Sequence, residues 1–140
     1  MNTDLMFSSK SDDWETPQWL FDELDSEFHF TLDPCADKHN HKCEKYYTKE
    51  QDGLSKCWEG ERVFCNPPYG REIGSWVKRC YLHGRVGEGI AVMLIPARTD
   101  TIWFHEYIYK KAEVRFLKGR LKFGSSKNSA PFPSMIVIFK

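Results

Sequence analysis

The residues best equipped for chemistry are Asn66-Pro67-Pro68-Tyr69, followed by Gly70 and preceded by the apolar run Val63-Phe64-Cys65. Each proline fixes φ and offers a carbonyl without an N–H. The turn therefore presents acceptors without donors at its two central positions. Asn66 adds a side-chain carbonyl, and Tyr69 adds a flat apolar face with a polar tip. Such a surface suits a planar group that carries an NH2. The exocyclic amine of a base such as adenine is a poor nucleophile, because its lone pair is delocalised into the ring. Two acceptors, the Asn66 side-chain oxygen and the Pro67 carbonyl, can hold both amine hydrogens. That geometry favours a pyramidal nitrogen with its lone pair aimed at a methyl group, and Tyr69 can stack on the base. Catalysis of this kind rests on orientation and electrostatics, with no general base of shifted pKa.

A second cluster lies near the C-terminal end. Lys118, Arg120, Lys122 and Lys127 alternate with Leu121 and Phe123, and Asn128 and Phe132 follow. Basic side chains can track phosphates, and an aromatic such as Phe132 can stack on an extruded base. A solvated basic hairpin with Phe123 and Phe132 in the core fits the same pattern. Arg98, just after a central apolar run, is a further phosphate candidate. Charge is uneven along the chain: residues 1–60 carry 6 Lys+Arg and 14 Asp+Glu, whereas residues 61–140 carry 14 and 6. This asymmetry hints at a polyanionic partner for the second half. Cys35, His39, His41 and Cys43 do not match the spacing of a standard zinc module, so no metal is expected.

The elements that must position these groups alternate between strand and helix. Thr16-Pro17 reads as N-cap and first position of a helix that ends near Asp25. Phe28 to Leu32 alternates like a strand that stops at Asp33-Pro34. Residues 37–51 lack a clear period and read as irregular. Arg62–Cys65 reads as a strand into the Pro-Pro turn. Ile73, Val77, Cys80 and Tyr81 then recur at helical spacing. Ile90 to Ile95 has the continuous apolar character of a buried central strand ended by Pro96. Asp100 is expected to cap a helix holding Ile102, Trp103, Tyr107 and Ile108. Val114–Leu117 and Met135–Phe139 complete the set. The pattern predicts an α/β fold with a mostly parallel sheet and an antiparallel terminal hairpin. Ligands of such sheets sit beyond the carboxyl ends of strands, where Asp33-Pro34, Asn66 to Tyr69 and Pro96 to Arg98 are expected. The 140 residues, 41% apolar and 15% aromatic, suit one domain over residues 13–140 behind a loose leader over 1–12. No apolar run is long enough for a membrane helix, no secretory signal is visible, and five cysteines suit a reducing cytoplasm.

Taken in order, Trp14-x-Thr16-Pro17, Asp33-Pro34-Cys35-Ala36, Tyr46-Tyr47-Thr48, Asp52-Gly53-Leu54, Trp58-x-Gly60, Asn66-Pro67-Pro68-Tyr69, Pro96 to Asp100 and Lys118 to Phe123 resemble the phage-type DNA N-6-adenine-methyltransferase (Dam) family. The resemblance covers roughly residues 13–139. It implies a compact class I (Rossmann-like) methyltransferase fold, S-adenosylmethionine as cofactor, and duplex DNA with a flipped adenine as substrate. It further implies catalytic roles for Asn66, Pro67, Pro68 and Tyr69. Asp33, Pro34, Cys35 and Ala36 stand where the family has an Asp-Pro-Phe-x-Gly motif, here without its glycine. By the resemblance, Asp52, Gly53 and Leu54 would hold the cofactor adenine, with Asn66 close by, and Thr16-Pro17 would lie near the methionine carboxylate. No separate target-recognition domain is visible, so low sequence specificity and a possible homodimer are expected. In a phage the site of action would be the host cytoplasm. Cytosine N4, an RNA base or a glutamine amide remain open as acceptors, as does a non-catalytic DNA-binding remnant of the fold.

Overall fold

The computed structural model describes residues 14–124 and 126–140. The leader expected over residues 1–12 lies outside them. Among the described residues, two α-helices and six strands form the framework: α1 (Gln18–Phe28), β1 (Leu32–Ala36), β2 (Lys45–Thr48), β3 (Arg62–Cys65), α2 (Ile73–Gly84), β4 (Ile90–Pro96), β5 (Glu113–Phe116) and β6 (Ser134–Phe139). A 3-10 turn at Gly53–Ser55 and a π-helical turn at Phe104–Ile108 complete the elements. All strands join one sheet in the order β2-β1-β3-β4-β6-β5. The first four run parallel, and β6 is antiparallel to both β4 and β5. The expected terminal hairpin is therefore present, with β6 inserted between β4 and β5.

Alternation along β3 distributes the helices. Phe64 meets Phe21 of α1 edge-on at 5.2 Å, and Phe30 at 5.3 Å. Its neighbour Cys65 points the other way and meets Cys80 of α2. Successive strand side chains face opposite sides, so α1 and α2 cover opposite faces. Ala91 to Ile95 of β4 are fully buried between them. This explains why β4 reads as an unbroken apolar run.

Several boundaries differ from expectation. Helix α1 continues to Phe28 and ends at His29 in the left-handed region. Phe28 is therefore helical, and its side chain joins the core rather than a strand. Strand β1 starts at Leu32 and carries Asp33-Pro34 within it. Proline lacks a ladder donor, and the β1–β2 register shifts between Asp33 and Ala36 to accommodate it. Lys45–Thr48, expected to be irregular, forms the edge strand β2. Asp100 caps no helix; the Thr101 hydroxyl accepts the Phe104 N–H at 3.3 Å instead.

Strand order reverses direction between β1 and β3. A crevice at such a switch point, beyond the carboxyl ends of the parallel strands, is where open α/β sheets bind ligands. The residues that follow β3 are Asn66-Pro67-Pro68-Tyr69.

Candidate active site

Asn66 leaves β3 at this edge, and its side chain is held by the segment ahead of α1. Its Nδ2 donates to the Trp14 carbonyl and to Thr16 Oγ1, the latter at 2.8 Å. A carbonyl can only accept, so the amide cannot be turned around. Its Oδ1 is thereby directed away from both partners, and it is buried with no hydrogen-bond partner. Thr16, read from sequence as a helix cap, makes no cap bond; Pro17 occupies the N-cap position. The Thr16 hydroxyl serves Asn66 instead. Leaving a buried acceptor unpaired costs about 1–3 kcal/mol, and the fold sustains that cost at the first residue of the Asn-Pro-Pro-Tyr turn.

Tyr69 closes the turn. Its hydroxyl donates to the Leu94 carbonyl of β4 at 2.9 Å, and burial pushes its pKa well up. The phenol is a fixed neutral donor that pins the turn to the central strand. The Tyr69 ring lies nearly parallel to the Trp14 indole, with centroids 6.5 Å apart and planes 18° apart. Phe123 and Phe132 meet both rings edge-on, at 5.1–6.3 Å. The segment between β5 and β6 is thus attached to the Asn-Pro-Pro-Tyr turn through rings. Gly124 reinforces this by donating its N–H to the Glu15 carbonyl at 2.8 Å. Phe132 is half-buried in this cluster rather than free on an open surface.

On the neighbouring strand, Asp33 is 5% exposed. Its Oδ2 accepts the Lys42 N–H at 2.9 Å and its Oδ1 the Cys35 N–H at 3.4 Å. Burial, opposed by these two N–H groups, pushes its carboxyl up to about 6. Asp33 thus ties the loop after β1, through Lys42, to its own strand. The Asp52 turn comes to the same place. A Cβ on Gly53 would lie 2.0 Å from the Pro34 carbonyl oxygen, so only glycine permits this approach. The Gly53 carbonyl accepts the Trp58 Nε1–H at 3.0 Å, and Trp58 stacks on Trp76 of α2. Asp52 itself has φ of 56° and an exposed side chain, and Leu54 is half-buried beside it. The structure therefore brings Asp33 to Ala36 and Asp52 to Leu54 together, one strand away from Asn66.

The family model for DNA N-6-adenine-methyltransferase (Dam) matches residues 4–140. The chain belongs to this family. A DNA N-6-adenine-methyltransferase of Haemophilus phage HP1 is 30% identical over 140 residues, covering 94% of this chain and 80% of that protein. Another of the same name, from Escherichia phage T1, is 32% identical over 110 residues, covering 77% of this chain and 45% of that protein. No helix among the described residues is long and apolar enough to cross a membrane.

In this Dam-family chain the basic candidates lie apart from the turn itself. Lys118, Arg120 and Lys122 are exposed and line a cleft of about 410 Å³ with Leu117, Leu121 and the 59%-exposed indole of Trp19. Lys127 and Asn128 are exposed further along the same segment, and Arg98 is exposed just beyond β4. All follow the edge at which β3 and β4 end. The cysteine and histidine group does not converge: His41 stacks on Tyr46 at 3.9 Å and bonds the Cys43 carbonyl at 2.7 Å. Among the described residues no three His, Cys, Asp or Glu side chains are placed to share a metal ion. Trp14 was not singled out from sequence as a site residue. Its place two residues before Thr16-Pro17 was the available signal.

Proposed function

We propose that this chain transfers a methyl group from S-adenosylmethionine to N6 of adenine in duplex DNA, on a compact class I (Rossmann-like) scaffold. The single observation that carries the reading is the buried, unpartnered Asn66 Oδ1 beyond β3, with its amide locked by Trp14 and Thr16. An acceptor so placed fits an amine hydrogen. The Pro67 carbonyl serves the second hydrogen, and the amine nitrogen is left with its lone pair free to attack. Tyr69, held by Leu94, supplies the ring that fixes the plane of the base. The cofactor supplies an electrophilic methyl group on a sulfonium, and its sulfur departs as a neutral thioether. The amine sheds its proton after attack, so no buried base is needed.

The residues at the β1 side fit the cofactor. The exposed Asp52 carboxylate can accept from its adenosine, and half-buried Leu54 can pack on the ring. Asp33 contributes by tying the loop after β1, through Lys42, to its own strand. The exposed Lys118, Arg120, Lys122, Lys127, Asn128 and Arg98 would follow phosphates, contacts that carry no sequence information. The phage origin of the similar methyltransferases supports action in the cytoplasm of a bacterial host. Titration calorimetry with S-adenosylmethionine separates this reading from a non-catalytic remnant. Saturable heat together with methyl transfer to unmethylated DNA is expected. DNA binding without any cofactor heat would point to the remnant.

A further inference from the structure

Among the described residues, three buried side-chain polar atoms lack a partner: Trp14 Nε1, Asn66 Oδ1 and Ser134 Oγ. They lie at one edge of the sheet. Asn66 follows β3, Ser134 opens β6 opposite Pro96 at the end of β4, and Trp14 touches Asn66 through its carbonyl. Buried polar groups in folded proteins are nearly always paired, so three orphans at one edge point to a ligand there. Asn66 Oδ1 is accounted for by the amine. Trp14 Nε1 is a donor, and an amine cannot satisfy it, because both amine hydrogens are themselves donors.

Adenine presents what such a donor needs. Its amine is flanked by two ring acceptors, N1 on one edge and N7 on the other. The indole is anchored to the same groups that would bind the base. It lies nearly parallel to Tyr69, its own carbonyl orients the Asn66 amide, and Phe123 and Phe132 buttress it edge-on. We propose that Trp14 is part of the target-base site, its indole N–H donating to the ring nitrogen beside the amine that Asn66 holds. An acceptor-plus-donor pair then reads an amine and its neighbouring ring nitrogen together. A site built this way rejects a base that lacks the ring nitrogen, because the N–H is left buried and unpaired. This proposal rests on the methyltransferase reading above and adds a specificity-determining residue to it.

The test uses the full chain, S-adenosylmethionine, and duplexes in which every adenine is natural, 1-deazaadenine or 7-deazaadenine. The wild type is expected to lose about 10-fold or more in kcat/KM on one of the two analogues. The Trp14→Phe variant, which keeps a ring but no N–H, should lose about 10-fold on natural DNA and show no further loss on that analogue. Replacing Trp14 by benzothienylalanine, which keeps the bicyclic shape, gives the same readout should the phenylalanine variant unfold. DNA affinity measured without methyl transfer should shift with the same analogue. Two results overturn the proposal: wild type indifferent to both analogues, or Trp14 variants that discriminate as the wild type does. Absence of methylation of natural DNA by the wild type would instead remove the functional reading itself.

Discussion

The two ends of the one sheet are built on opposite principles. At the end where the parallel strands begin, polar groups are matched. Glu61 accepts from Thr31 Oγ1 at 2.7 Å and pairs with the Lys45 ammonium. Arg62 donates its Nε–H to the Phe28 carbonyl, Thr31 Oγ1 accepts the Arg62 N–H at 2.8 Å, and His83 Nε2 shares a hydrogen with the Glu61 carbonyl at 2.9 Å. At the end where β3 and β4 stop, Trp14 Nε1, Asn66 Oδ1 and Ser134 Oγ are buried and unmatched, and Asp33 holds a carboxyl raised by burial. The first end secures the fold. The second leaves buried polar groups unpaired, and on the proposed function they await a ligand at a cost in stability, as functional sites commonly do.

If that contrast holds, substitutions at the two ends must fail differently. The largest effect is expected at Asn66. Asn66→Ala should lower kcat by about 10²–10³-fold or more, with cofactor affinity and thermal midpoint little changed. Single-turnover transfer and calorimetry on the same preparation check this. Next comes Gly53→Ala, whose Cβ must displace the Pro34 backbone. It should cost about 2 kcal/mol in denaturant unfolding and weaken S-adenosylmethionine binding by roughly 10-fold, as the Asp52 turn is pushed from β1. An unchanged cofactor affinity would separate that turn from the cofactor.

Asp33 offers a pH test of the same contrast. Its folded pKa of about 6 lies above the ordinary 3.8. Between these values the folded state binds more protons than the unfolded, so stability falls as pH rises across the window and the full cost applies above it. The shift corresponds to at most roughly 3 kcal/mol. Asp33→Asn should therefore gain about 1 kcal/mol over wild type at pH 7.5, its amide oxygen keeping one of the two N–H bonds. That gain should vanish towards pH 4. A difference independent of pH would show that the carboxyl is not strained by burial. The smallest effect belongs to the matched end. Glu61→Gln should lower the thermal midpoint by on the order of 4 °C and leave kcat/KM on DNA unaltered.

The legibility of the chain in its sequence follows the same division. Strands β4 and β6 and helix α2 were readable because their apolar residues are continuous or recur at helical spacing and are buried as that implies. Strand β2 was not, because four residues, Lys45–Thr48, on a sheet edge carry no alternation to read. The start of β1 was misplaced because Phe28 and Phe30 look strand-like, yet they pack ring to ring at 5.8 Å across a helix end. At the site, the Asn-Pro-Pro-Tyr turn was legible as chemistry because its acceptors are covalent features of proline and asparagine. The role of Thr16 was hidden. Locally a Thr-Pro pair signals a helix start, and only a partner fifty residues away takes its hydroxyl for another purpose. Trp14 was hidden likewise, since its importance lies in a carbonyl and an unpaired N–H that only tertiary structure exposes. Gly53 was legible only as part of the Asp52 to Leu54 motif; its close approach to the Pro34 carbonyl is a tertiary contact that local sequence does not carry.

The identity of the methylated atom decides between adenine N6 and the other acceptors. Wild type and Asn66→Ala are incubated with methyl-labelled S-adenosylmethionine and fully unmethylated duplex DNA, which is then digested to nucleosides and separated. The expected result is label in N6-methyldeoxyadenosine from the wild type and about 10²-fold less, or lower still, from Asn66→Ala in the same time. Label in N4-methyldeoxycytidine, or equal label from both proteins, would contradict it.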